Sequence, residues 1–350
     1  MKKSKPVLKG TLRIKAKDLK VYEKTNNSWK KSRITFPCAL KIIELFKAHK
    51  NFDILVDKKN SEFLKGQFYD GKVQGARINV LPDNRKLDKA YSLFSPNLIM
   101  HDQKSNQHWD VIYQLPNGNF AYAYTLDKKQ KATAKKYNEV KKFEKLYPKL
   151  KQSVSRALKN ENDSFALPMY TLLETYMRVG NELYFKAHGH KGLTTLTKKD
   201  IKIKGNNITF KYLAKGGVPF TITHKFPLSY VNRLKNHIKN LKQTSYVFTT
   251  ESGHTLRDEH FKKAFKKYCG YAFYPHIVRS YYATNVVEQF LKKHKHASKD
   301  EVKELYLSIA QKLGHKHFDK KKNQWQDNFN VTINHYVQPK LIENMKNIVE

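Results

Sequence analysis

The chain has 350 residues, and its 68 Lys+Arg against 30 Asp+Glu give a formal net charge of +38. With 39% hydrophobic and 13% aromatic residues, it can bury cores for two modest domains, which excludes a disordered basic tail. So large a charge excess repels itself and is best offset beside a polyanion, so nucleic acid is the expected partner.

A membrane surface fits less well, since no long apolar run or strongly amphipathic anchor is visible. Cys38 and Cys269 are the only cysteines, so neither a disulfide framework nor a cysteine zinc site is expected. The opening "MKKSKPVLKGTLRIKAKDLK" has no apolar core and does not read as a signal peptide, which points to a reducing, intracellular setting.

In chain order, residues 1–30 read as a basic arm or irregular lead-in. "ALKIIELFKAHK" (39–50) has helical spacing, then "FDILVD" and "ARINVLP" read as short strands. "HWDVIYQLPNGNFAYAYTL" (108–126) is the clearest hairpin: Asn117-Gly118 suits a positive-φ turn, and Val111, Tyr113 and Leu115 alternate on the way in. Mixed α/β character ends near Leu126, and the Lys-rich "DKKQKATAKK" reads as a charged linker entering a helix. The expected domains are therefore 1–127 and 128–350.

The second domain reads as mainly helical. "FALPMYTLLETYMRVGNELYFKAHG" looks like one amphipathic helix, with Leu172, Leu173, Tyr176, Gly180, Leu183 and Tyr184 on one face. Arg178 then projects from the other face with Glu174 and Glu182. On that wheel an exposed Glu–Arg pair is worth only about 0.3–0.5 kcal/mol, while Gly180 permits close backbone approach at a cost of about 1 kcal/mol. "IKIKGNNITFKYLAKGGVPFTITHKF" (201–226) alternates like a small antiparallel sheet, and helical patterns resume at 228–242, 257–269, 276–293 and 300–313. Three His-x-His pairs (His188/His190, His294/His296, His315/His317) lack a third ligand at suitable spacing, so no metal site is expected. No phosphate-binding glycine loop of the ATPase type and no H-E-x-x-H motif occurs.

One ordered series stands out: Arg178, Gly180-Asn181-Glu182, Tyr184, then Gly192-Leu193-Thr194-Thr195-Leu196, then Lys215 in the glycine-rich turn "YLAKGGV". It is followed by "HIVR" with His276 and Arg279, "LGH" with His315, and "YVQP" with Tyr336. This series resembles the type IB DNA topoisomerases in their short poxvirus and bacterial form, whose catalytic domain is like that of tyrosine recombinases. The resemblance covers roughly 108–350, and residues 1–107 match only in character. It implies an α+β fold of the DNA breaking-rejoining kind, with a small mixed α/β lobe and a larger, mainly α lobe closing around duplex DNA.

By that resemblance Arg178, Arg279 and His315 grip the scissile phosphate, Lys215 protonates the leaving 5′-oxygen, and Tyr336 is the nucleophile. Independently of the resemblance, Tyr122, Tyr124 and Tyr184 read equally as DNA contacts or as half-buried strand and helix aromatics. The resemblance implies an intracellular monomer that needs no cofactor, ATP or metal and relaxes supercoils through a 3′-phosphotyrosine. A phenol, with a pKa of about 10, is a weak nucleophile at neutral pH, and cations around the phosphate answer both that weakness and the anion's repulsion.

Two features depart from the pattern. His276 stands where lysine is usual, as an auxiliary catalytic candidate that leans toward the recombinase His-x-x-Arg. Tyr336 follows His315 by 21 positions, roughly twice the family spacing, so a basic insert separates imidazole from phenol. A tyrosine recombinase or integrase, or an inactive DNA-binding protein on the same scaffold, are the alternative readings.

Overall fold

The computed structural model describes residues 7–75, 77–101 and 109–349. The first six residues of the basic lead-in and His108 of the hairpin segment lie outside them. The chain divides into two compact units, Met1–Lys135 and Lys136–Glu350.

The first unit is built of short antiparallel strands around one helix. Strands β1 (Leu12–Ile14), β2 (Val21–Lys24) and β3 (Trp29–Lys31) precede helix α1 (Pro37–Ala48), and β4 (Gln67–Tyr69) and β5 (Lys72–Gln74) complete a five-stranded sheet in the order β3-β2-β1-β4-β5. Residues 7–31 are thus not an irregular lead-in but the heart of this sheet. The reason is Arg13, 6% exposed, whose guanidinium is paired with Asp57 and donates to the Leu64 carbonyl at 3.1 Å. Charge density hid a strand whose basic residue is buried and satisfied.

"FDILVD" is likewise not a strand: Phe52–Leu55 is a 3-10 turn, in which Phe52 and Leu55 sit three apart with Leu55 buried. Strands β6 (Ile78–Val80) and β7 (Lys86–Tyr91) form a pair. Strands β8 (Ile99–Met100), β9 (Val111–Gln114) and β10 (Phe120–Ala123) form a three-stranded sheet. The β9–β10 register, Val111 opposite Ala123, closes over Asn117-Gly118 with Gly118 at φ 80°. Ile42, Ile43 and Phe46 of α1 pack with Leu12, Ile14 and Val111 as this unit's core.

Helix α2 (Leu126–Ala157) is unbroken through the Lys-rich stretch, so 127–136 is helix and not linker. Its buried positions Tyr137, Val140, Phe143, Leu150 and Val154 keep helical spacing. In the second unit, α3 (Ala166–Thr175) and α4 (Glu182–His188) precede the sheet β11 (Ile201–Lys204), β12 (Asn207–Ala214), β13 (Val218–Lys225), ordered β11-β12-β13. Helices α5 (Leu228–Ile238), α6 (Asp258–Cys269), α7 (Ile277–Lys293) and α8 (Lys299–Leu313) follow, close to the expected spans. A hairpin of β14 (Lys316–Asp319) and β15 (Gln324–Asp327) then leads to α9 (Asn330–His335) and α10 (Pro339–Ile348).

The single helix expected over 165–189 is two. Tyr176 turns left-handed at φ 55° and ends α3, and 177–181 run non-helically into α4, whose cap is the Asn181 side chain accepting from the Tyr184 amide at 3.0 Å. Inter-segment pairing wins over helix continuation here. Leu193 N–H donates to the Arg178 carbonyl at 2.8 Å and Thr194 N–H to the Val179 carbonyl at 2.7 Å.

The expected wheel is therefore void. Glu174 pairs with Lys151 and His224, and Glu182 with Lys186 and Thr255, neither with Arg178. Gly180 does allow close approach, but of a loop: it adopts φ +96°, and its backbone lies against Gly192, where a Cβ on Gly192 would fall 2.6 Å from the Gly180 Cα. The Gly-Asn-Glu and Gly-Leu-Thr-Thr-Leu runs are two halves of one clasp that presents Arg178.

Candidate active site

Each site residue is set by a local device that the chain encodes nearby. The clasp just described aims Arg178. The turn Lys215–Gly217 between β12 and β13, with Gly216 at φ 78° and Gly217 at φ 75°, carries Lys215. His276 stands immediately before α7, and Arg279 lies in its first turn.

Helix α8 opens with a capping box between Ser298 and Glu301. It closes on Gly314, left-handed at φ 67°, with His315 N–H reaching back to the Ala310 carbonyl at 2.8 Å and Gly314 N–H to Gln311 at 3.1 Å. A Cβ on Gly314 would strike the Phe220 ring at 2.6 Å, so the glycine of "LGH" serves both the turn and the packing that sends His315 inward.

The 21-residue spacing resolves without moving the phenol. The insert is a hairpin whose ends, Lys316 and Asp327, face each other across the ladder, so the chain leaves His315 and returns beside it. Asn328 N–H donates to the His315 carbonyl at 3.0 Å, and Gln311 of α8 donates to Asp327 at 3.0 Å. Helix α9 then carries Thr332 and delivers Tyr336 into a satellite core formed with α7, α8 and α10.

There the side chains meet. Arg178 Nη2 donates to the Tyr336 hydroxyl oxygen at 2.8 Å. The Arg279 guanidinium lies over the Tyr336 ring, 5.2 Å from its centroid. The ring centroids of His315 and His276 are 4.7 and 5.1 Å from that of Tyr336.

Arg279, 2% exposed, is also a bolt. It donates to the Tyr176 carbonyl at 2.6 Å and the Leu313 carbonyl at 2.8 Å, the C-terminal ends of α3 and α8. A guanidinium there answers the partial negative charge of two helix ends at once. Its Nη2 reaches His315 Nε2 at 3.0 Å, and its Nε has no hydrogen-bond partner among the described residues.

An arginine can only donate, so His315 Nε2 accepts, and Nδ1 carries the proton toward Thr332 Oγ1 at 2.8 Å. Burial first, then Arg279 and Arg178, push the His315 pKa down to about 2. The same order of causes, with Lys136 and Lys215 added, takes His276 to about 3. Both imidazoles are neutral at pH 7. For His315 to donate from Nε2, that nitrogen must take up a proton, and an arriving anion supplies the field that favours it.

Arg178, Lys215, His276 and Arg279 line one cavity of about 560 Å³. An adjoining cavity of about 340 Å³ is lined by Arg178, Lys215, Arg279, His315 and, from the insert, Trp325. Tyr184, 42% exposed, lines the first. Tyr122, exposed on β10, and Tyr124, half-buried just after it, belong to the first unit.

Two neighbours of the site had no sequence signal. Lys191 lines both cavities and pairs with Asp200, both side chains 9% exposed. Lys136 of α2 places its ammonium 5.5 Å from the Tyr336 ring centroid. In a chain with 68 Lys+Arg, neither differs in composition from a surface lysine. Among the described residues no helix is long and apolar enough to cross a membrane.

Against known proteins, residues 125–343 match the family model of the eukaryotic DNA topoisomerase I catalytic core. DNA topoisomerase 1B of Acanthamoeba polyphaga mimivirus is 28% identical over 142 residues, which is 39% of this chain and 42% of that protein. The matched stretch therefore spans well under two thirds of that relative. Among solved structures, XerH site-specific recombinase bound to difH substrate in a pre-cleavage complex aligns with TM-score 0.34 at 16% identity, covering 51% of this chain and 50% of that one. Its post-cleavage complex with palindromic difH aligns with TM-score 0.35 at 14% identity, covering 58% and 51%. Since the topoisomerase model takes in well over half of the chain, and its span holds the cluster around Tyr336, the chain belongs to the eukaryotic DNA topoisomerase I catalytic-core family.

Proposed function

We propose that this protein is a type IB DNA topoisomerase that relaxes supercoiled duplex DNA through a transient single-strand break. Tyr336 attacks the scissile phosphate, remains joined to its 3′ side as a phosphotyrosine, and releases the 5′-hydroxyl; the reverse attack reseals the strand. The observation that carries this reading is the 2.8 Å contact from Arg178 to the Tyr336 hydroxyl, with Arg279 over the same ring and His315 bonded to Arg279.

As the phenol oxygen attacks and gives up its proton to solvent, the guanidinium against it stabilises the negative charge that develops there. As the phosphorane builds, forked donors on Arg178 and the free Nε of Arg279 face its equatorial oxygens, each worth roughly 3–4 kcal/mol in the transition state. Lys215, on a two-glycine turn at the cavity wall, gives its proton to the departing 5′-oxygen. His276, neutral and beside the phenol, donates or accepts a hydrogen bond without adding charge. With the charge supplied by side chains and the bond energy held in the phosphotyrosine, neither a metal ion nor ATP has a step to perform. The exposed Tyr122 and Tyr184, with Tyr124, add contacts to the duplex, and the protein acts as a monomer.

The test is relaxation of supercoiled plasmid in EDTA without nucleotide, paired with Tyr336→Phe. The wild type should relax plasmids of unrelated sequence and leave DNA covalently attached under denaturing conditions. Tyr336→Phe should bind DNA and form no adduct; an adduct from that variant would remove Tyr336 from its role. Cleavage confined to one defined site, with strand exchange between duplexes, would mark a recombinase instead.

A further inference from the structure

The backbone that carries Tyr336 is held from outside in an unusual way. Three consecutive carbonyls, those of His335, Tyr336 and Val337, each receive a side-chain donor from another helix. Lys136 Nζ of α2 donates to His335, Thr284 Oγ1 of α7 donates to Tyr336 at 3.2 Å, and Tyr137 of α2 donates its hydroxyl to Val337 at 2.6 Å.

Helix α9 is only six residues long, and the carbonyls at its end have no further turn to bond them. Ordinary satisfaction of those groups would explain a donor at each, but not the rest of Lys136's placement. Its ammonium lies 5.1 Å from the Tyr137 ring centroid and 5.5 Å from that of Tyr336, within cation–π range of both. One lysine thus touches the segment at its backbone and at the ring of the residue it delivers.

We infer that Lys136 and its neighbour Tyr137 form a clip that sets the position of Tyr336 for attack, with Lys136 a positioning residue for strand cleavage. This rests on the reading of Tyr336 as nucleophile. Two adjacent residues of one helix fix the carbonyls on either side of Tyr336, so a rotation of that residue about its own backbone has to break one of them. The cation over the ring restrains the remaining freedom, the swing of the phenol. Burial lowers the Lys136 ammonium to about 8, as expected for a cation drawn against apolar rings instead of into solvent.

The experiment compares wild type, Lys136→Met, Lys136→Arg and Tyr137→Phe on a duplex whose cleaved strand ends a few nucleotides past the break, so that the leaving piece diffuses away. DNA affinity is measured on the same duplex, and amide exchange is followed at Tyr336 and Val337. Lys136→Met should slow single-turnover adduct formation about a hundredfold, the scale of a reacting group misplaced by an ångström, while affinity stays at the wild-type value. Lys136→Arg, which can keep both the carbonyl bond and the cation, should restore most of the rate. Exchange at the two amides should speed up in Lys136→Met and Tyr137→Phe.

Weakened affinity with an unchanged cleavage rate in Lys136→Met would make Lys136 a DNA contact and overturn the clip. Failure of Lys136→Arg to recover the rate would do the same. If wild type itself formed no adduct, the reading of Tyr336 would fall. The clip would then stand or fall on exchange alone, with unaltered protection at Tyr336 and Val337 in both variants counting against it.

Discussion

Gly192→Ala perturbs the site at a point where the geometry leaves no choice of response. A methyl on Gly192 would lie 2.6 Å from the Gly180 Cα and amide nitrogen and 2.7 Å from the Arg178 carbonyl oxygen. Ordinary van der Waals contact begins at 3.4 Å, so the two segments must part by about 0.8 Å, and no flexible side-chain end is available to yield. Separation lengthens the bonds from Leu193 to Arg178 and from Thr194 to Val179, now 2.8 and 2.7 Å, and carries the Arg178 backbone away from Tyr336. Overpacking of this kind costs about 1–3 kcal/mol, a fraction of the roughly 5–15 kcal/mol that holds a domain together, so the variant should fold. A displacement approaching an ångström in a clamping group should slow adduct formation by about a hundredfold. Urea unfolding and single-turnover cleavage measure the two effects, with Gly189→Ala as control. That glycine is left-handed, at φ +71°, whereas Gly192 is extended at φ −149°, but it has open space around its Cβ position, so it should lose some stability and little rate. Equal behaviour of the two variants, or wild-type cleavage by Gly192→Ala, would refute the clasp as the device that aims Arg178.

Further expectations concern single groups. Arg279→Lys should lose both stability and rate. A single lysine nitrogen in place of two separated Nη atoms cannot reach the Tyr176 carbonyl on one side and the Leu313 carbonyl and His315 on the other, and each buried acceptor left unpaired costs about 1–3 kcal/mol; a Tm equal to wild type would contradict it. Lys215→Ala should slow cleavage of ordinary DNA, yet cleave at a near wild-type rate a strand whose leaving atom is 5′ sulfur, because a thiolate leaves without a proton. Equal impairment on both substrates would remove Lys215 as the acid.

Stability should fall on acidification. His315 and His276 have folded pKa values of about 2 and 3, below the unfolded value of about 6.5. As pH drops through that window the unfolded chain takes up protons that the folded one refuses. Each histidine then adds a slope approaching about 1.4 kcal/mol per pH unit. Unfolding of wild type and His315→Asn between about pH 6 and about pH 4 should differ by one such slope; parallel curves would refute it.

The elements that the sequence announced are those set by local chemistry. Asn117-Gly118 made the hairpin legible because a tight turn needs a residue at positive φ. The 3.6-residue rhythm of 228–238 and 299–313 needs no partner to be read. The order Arg178, Lys215, Arg279, His315, Tyr336 was likewise open to inspection as a motif series. Charge misled where burial decides: Arg13 lies in a sheet interior because Asp57 and the Leu64 carbonyl satisfy it, and nothing adjacent in the chain reveals that pairing. The run through Arg178 reads as helix because its propensities are helical, whereas contacts with Gly192-Leu193-Thr194, supplied from a dozen residues onward, break it.

Composition and motif order by themselves set the expectation of a nucleic-acid partner, the main helices and the set of groups that could meet a phosphate. Tertiary structure alone decided that those groups meet. Convergence of Arg178, Arg279 and His315 on Tyr336 depends on hydrogen bonds and close packing between segments up to 158 positions apart, and such distances in sequence carry no local imprint. The same holds for Lys136: a lysine acquires a distinct role only when folding removes it from water and sets it against a particular carbonyl and ring.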